Sequence, residues 1–153
     1  MSIALLRKEI KNFDRDALAS LILDLYGKNK SIKEYLDFYL QPDEEALLEK
    51  YQKIVSDYIY PKRGWKSKVA KAKATIREFH KLYKMPEIEA ELMYVYIVKG
   101  REFYMKEFNS STLETSLFKM RETFFEFINT HELTPIFKER IERNVFLSKS
   151  FNA

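Results

Sequence analysis

Along much of the chain apolar residues return every three or four positions, which places them on one face of a helix. Asp14 is suited to cap a segment in which Leu18, Leu21, Ile22 and Leu25 share a face, and Gly27 follows where a left-handed C-terminal residue is wanted. A shorter amphipathic piece, Ile3 to Ile10, precedes it. Ser31 with Glu34 makes a capping-box pattern ahead of Tyr35, Leu36, Phe38 and Tyr39. Pro42, Asp43, Glu44 and Glu45 read as a helix start, where carboxylates offset the positive end of the helix dipole. Leu47, Leu48, Tyr51, Ile54, Val55 and Tyr58 carry that face as far as Pro61.

Pro86 opens another helix, with Glu87, Glu89 and Glu91 ahead of LMYVYIV at 92–98. That run uses strand-favouring residues, but its acidic start and the polar REFYMKEF after it predict a helix apolar nearly all round. Gly100 is expected to kink or break it, since glycine costs about 1 kcal/mol in a helix interior. Ser111 and Glu114 make a second capping box before Leu113, Leu117, Met120, Phe124, Phe127 and Ile128, and Thr134–Pro135 begins a last helix through Ile136, Phe137, Ile141 and Val145. The pattern predicts an all-α single domain over residues 1–148 and a frayed tail at 149–153. It is built from about seven or eight helices, packed as a bundle or a short α-solenoid-like array.

Composition agrees with this reading. Of 153 residues 46% are apolar, and 12 Phe, 10 Tyr and 1 Trp give large rings a major share of the core. Three glycines and four prolines are too few for the turns of an all-β protein. The absence of cysteine excludes disulfides, zinc–thiolate sites and a thiol nucleophile, and it suits a reducing compartment. The longest uncharged runs, ALASLIL and LMYVYIV, have seven residues each, against about 18 for a membrane span, and MSIALLRKEI lacks the apolar run of a signal peptide. A soluble cytoplasmic protein that engages no membrane is the expectation.

Charge changes the picture more. Residues 61–84 hold nine cations against Glu78 alone, a local +8, while the whole chain carries +4 and the remainder therefore −4. In WKSKVAKAKATIREFHKLYK (65–84), read as one helix, Trp65, Val69, Ala72, Ile76, Phe79 and Tyr83 form an inward stripe. Lys66, Lys73, Arg77 and Lys84 then fall within about 40° of one another, flanked by His80 and Lys81. Lysine is also a good helix former, so a solvated face accounts for the pattern as well as a binding ridge does. If the four aligned cations each met a duplex phosphate, affinity would scale with salt at a slope of about −3.6, roughly a 150-fold loss between 50 and 200 mM. Trp65 suits either a core anchor or an exposed contact.

Catalytic signatures are missing. Only His80 and His131 are available as imidazoles, neither in a metal-ligand spacing, and no glycine-rich loop is present to cradle phosphate. The acidic clusters sit at helix starts, where carboxylates stabilise; a paired-carboxylate enzyme using Glu87 and Glu91 is a remote alternative. No catalytic residue, metal or cofactor is therefore expected. LLRKEIKNFDRDALASLILDLYGKNKSIKEYLDFYLQPDEEALLEKYQKIV, with SKVAKAKATIREFHKL and EAELMYVYIVKGREF after it, resembles a group of small bacterial helical proteins catalogued as a domain of unknown function. The likeness runs from about Leu5 to Ile141. It implies an all-helical fold and a bacterial cytoplasmic setting, and it transfers no activity. Two readings stand: a non-enzymatic helical interaction protein that docks a protein partner, and a weak, sequence-insensitive nucleic-acid binder using Lys66, Lys73, Arg77 and Lys84 with Tyr83 or Trp65 as stacking platforms.

Overall fold

Most helices begin where a side chain or a proline deals with the first backbone amides. In the computed structural model residues 1–63 and 66–151 are described, with side chains described as far as Ser148. Among the described residues there are nine helices and no strand, so the all-α expectation holds with one or two more helices than the pattern suggests. The helices fall into two compact units, Met1–Asp43 and Glu44–Ala153. The backbone of the last helix runs on through Phe151, and the end of the expected frayed tail, residues 152–153, lies outside the described residues.

The first unit holds α1 (Ile3–Ile10), α2 (Arg15–Lys28) and α3 (Lys30–Leu40). Ser2 Oγ accepts from Leu5 N at 3.2 Å, Asp14 Oδ1 from Ala17 N at 2.7 Å, and Asn29 Oδ1 from Ile32 N at 3.2 Å. Gly27 does not end α2 as expected. It stays inside the helix, with open space where a Cβ would be, and Asn29 both closes α2 and caps α3, which leaves Ser31 and Glu34 inside that helix.

No residue of these three helices is fully buried, although Leu18, Ile32, Leu36 and Phe38 are half-buried, and polar contacts also tie α2 to α3. Lys33 Nζ donates to Asp37 Oδ2 and to Tyr26 Oη, and Tyr26 Oη donates to Asp37 Oδ1, each at 2.8 Å. The Lys33 hydrogen bond, then that of Tyr26, holds the Asp37 carboxyl below its ordinary range. A carboxyl with a depressed folded-state pKa stabilises above its unfolded value, about 3.9, and that contribution disappears as pH falls through the folded value. The Tyr26 ring resonances are therefore expected to move in an NMR titration as pH drops below about 4, and not to move in Asp37→Asn.

The second unit is built around α6 (Pro86–Lys106), which contacts α4 (Glu44–Ile59), α5 (Val69–Tyr83) and α7 (Ser111–Thr130). α8 (Thr134–Arg143) contacts α7 and α9 (Val145–Phe151). LMYVYIV is helical, with Leu92, Met93, Tyr96 and Ile97 buried. Tyr96 Oη and Ser116 Oγ satisfy each other at 2.6 Å inside the core. Arg140 on α8 makes a two-pronged hydrogen bond to Glu91 on α6 and lies 4.0 Å over the Tyr94 ring, which joins those helices at their surface. Gly100 does not break the run: α6 continues through it as one helix, and Gly100 is buried where a Cβ would lie 2.6 Å from Leu117 Cδ2 and 3.0 Å from Ile59 Cγ1. No helix among the described residues is long and apolar enough to cross a membrane.

Candidate functional site

The basic segment forms a shorter helix than its pattern suggests. α5 starts at Val69, because the chain ahead of it is held as a loop in which Lys68 N donates to Tyr58 O at 2.7 Å. Lys66 therefore precedes the helix. It lines a cavity of about 670 Å³ with Lys68, Lys71 and Lys73 over Phe103 and Phe108. Lys84 closes α5 in the left-handed region, φ 47°. The expected ridge of Lys66, Lys73, Arg77 and Lys84 thus keeps only Lys73 and Arg77 within the helix. Ala72, Ile76 and Phe79 form the inward stripe as expected, with Val69 and Tyr83 half-buried at its ends. Trp65 lies outside the described residues.

What α5 does supply is one wall of a cleft. Lys73, Arg77, His80 and Lys81 stand on that wall; Glu89 and Met93 come from α6, and Lys119, Met120, Thr123 and Phe127 from α7. The cleft has a volume of about 610 Å³, within the range of sites that take a sizeable ligand or several side chains. Its floor is apolar: Ile76, Met93 and Met120 are buried, and Phe127 is half-buried. Methionine there gives a deformable surface able to follow the shape of an apolar group.

Glu89 is the one acid in the lining, and it is only 6% exposed. His80 Nδ1 lies 2.8 Å from its Oε2. Glu89 also sits in the first turn of α6, so the imidazole and the helix dipole together offset the cost of removing a carboxylate from water. Neither residue pairs with a neighbouring nucleophile: the Thr123 hydroxyl, on the opposite wall, donates to Lys119 O at 3.0 Å.

The cations are arranged differently. Among the described residues Lys73, Arg77, Lys81 and Lys119 make no ion pair. Partial burial, then the charges of Lys119 and Arg77, push the Lys73 ammonium below its ordinary value. The cleft therefore combines an apolar floor with an uncompensated positive rim.

Sequence pattern finds the α5 wall and misses the rest. Lys119 lies 38 residues beyond Lys81 in the sequence, and which face of α7 turns toward α5 depends on how both helices rest on α6. The other sequence candidates separate. Glu91 is taken up by Arg140, and Glu87 and Glu91 line a small cavity of about 280 Å³ beside Glu44 and Glu45. His131 is exposed, its ring 4.3 Å from that of Phe127. No group of His, Asp or Glu among the described residues is placed to hold a metal ion.

Comparison with known proteins adds a family and no activity. The chain matches no curated protein and no solved structure. Residues 1–151 match the model of DUF6155, a family of unknown function, and the chain belongs to that family.

Proposed function

We propose that the chain is a non-enzymatic docking protein that receives a protein partner in the cleft between α5, α6 and α7. The observation that carries this is a cleft whose floor is apolar, with Ile76, Met93 and Met120 buried beneath half-buried Phe127, and whose edges carry cations that make no ion pair among the described residues. Catalysis is the poorer reading, because the one acid in the cleft is engaged by His80 and the one hydroxyl by a backbone carbonyl. Nucleic-acid binding keeps some support from the α5 cations, but an apolar floor with a buried carboxylate suits a side-chain anchor better than a phosphate backbone.

A photoreactive residue at Lys81, on the rim, should give one recurrent protein adduct in the producing cell, and the same residue at exposed Lys53 on α4 should not. The adducted protein, purified, should bind the unmodified chain and bind Thr123→Trp at least about tenfold more weakly, since an indole at that exposed position would fill the cleft mouth without touching the core. Diffuse adducts, or partner binding indifferent to Thr123→Trp, would overturn the reading.

A further inference from the structure

The charge pattern on α5 identifies the kind of segment the cleft is built to take. On several other helices an acid lies four residues from a base: Asp24 with Lys28, Lys33 with Asp37, Lys53 with Asp57, Glu102 with Lys106 and Glu139 with Arg143. Like-charged neighbours occur at that spacing too, as in Glu45 and Glu49 on α4, Glu87 and Glu91 on α6 and Glu122 and Glu126 on α7, but among the described helices only α5 sets three cations in a row. Lys73, Arg77 and Lys81 follow at intervals of four, so that like charges stack along about 12 Å of helix edge, an arrangement that destabilises an isolated helix. Lys119 faces them from α7 and is close enough to act on Lys73 electrostatically. Three like charges in a row with a fourth opposite them give a field of one sign, which acid–base pairs would cancel.

Two features choose among anions. The floor removes from water an apolar surface that a sugar–phosphate strand does not present, whereas a leucine, methionine or aromatic side chain does. Glu89 in the wall would repel a dense polyanion, but it tolerates a segment whose acids lie only at the edges.

Resting on the docking reading, we infer that the partner segment is an acidic peptide: one large apolar side chain seats on Ile76, Met93 and Met120, and flanking aspartates or glutamates meet Lys73, Arg77 and Lys81 on one edge and Lys119 on the other. The rim cations then act on the rate of encounter and on the choice of partner, and the apolar anchor supplies residence time.

The test displays a random twelve-residue peptide library on the full chain at 50 mM salt, with Thr123→Trp used to remove binders that do not need the cleft. The expected peptides carry several Asp or Glu around one large apolar residue. Their affinity should fall about tenfold in the Lys73→Glu, Arg77→Glu double variant, and about as much between 50 and 500 mM salt. Circular dichroism checks that the double variant is folded, and Lys73→Gln with Arg77→Gln, which removes charge without reversing it, should give an intermediate loss. Cleft-dependent peptides without acidic enrichment, or indifferent to the double variant, overturn the acidic inference and leave docking standing. If no cleft-dependent peptide emerges, docking falls as well; if a labelled oligonucleotide then binds and is lost in the double variant, the ridge serves nucleic acid instead.

Discussion

Phe124→Ala is expected to destabilise the second unit by about 4 kcal/mol. Phe124 is fully buried on α7, with its ring edge-on to Phe137 of α8 at 5.2 Å and 6.1 Å from Tyr94 of α6. Truncation removes most of a ring's apolar area and leaves a cavity that the rigid neighbours Phe137 and Tyr94 fill poorly. Since small domains are stable by about 5–15 kcal/mol, most of the margin would go, with a melting temperature lower by roughly 15 °C. Urea unfolding followed by circular dichroism measures it. Phe124→Leu, which restores much of the volume, should recover more than half of the loss. A cost below about 1.5 kcal/mol for the alanine variant would mean that the three rings are not the joint between these helices.

The consequence reaches the cleft. Met120, Thr123 and Phe127 lie on the same helix within four residues of Phe124, so the rings that fix α7 against α6 and α8 also fix one cleft wall. Partner binding in Phe124→Ala is expected to weaken even in the fraction that remains folded.

How much of this is legible in the sequence depends on whether the signal is local. The faces of α4 and α7 follow from apolar spacing, and burial of Leu47, Tyr51, Val55, Leu117 and Met120 agrees with it; on α8 Phe137 and Ile141 are buried as expected, but Ile136 is exposed, and Val145 is exposed and belongs to α9. Helix ends are less legible, because several residues compete for one role. Gly27 has the conformational freedom to end α2, yet Asn29 ends it, since one asparagine side chain can cap the next helix at the same point. Lysine-rich residues 66–68 read as helix on propensity, and the contact from Lys68 to the end of α4 overrides that. For the site, the α5 wall is periodic and visible. The α6 and α7 contributions are not, because periodicity says which residues turn inward and leaves open which helix they meet. Glu89 shows the limit: among three glutamates at one helix start, only the packing of α5 on α6 selects the one that His80 covers.

Gly100→Val should cost about 2–3 kcal/mol, although valine is the better helix former, because the site has no room for it. A Cβ there would meet Leu117 Cδ2 at 2.6 Å and Ile59 Cγ1 at 3.0 Å, both from fully enclosed side chains on α7 and α4. Alanine's Cβ already meets both atoms, so the leucine tip and Ile59 must each shift inside the core, and the gain of about 1 kcal/mol from losing a glycine offsets part of that cost; Gly100→Ala should therefore lie within about 1 kcal/mol of the parent and cost less than Gly100→Val. Valine adds two further carbons that cannot both avoid Ile59 and Leu117, and it must push α4 or α7 away from α6. Met93 lies seven residues, or about 10 Å, along α6 from Gly100. A wedge at Gly100 therefore spreads α6 from α7 two turns away from the cleft floor, and partner binding should fall in Gly100→Val while Gly100→Ala retains it. Urea unfolding of the two variants side by side decides the matter. If valine is tolerated as well as alanine, the close approach of α4 and α7 across Gly100 does not set the spacing of these helices.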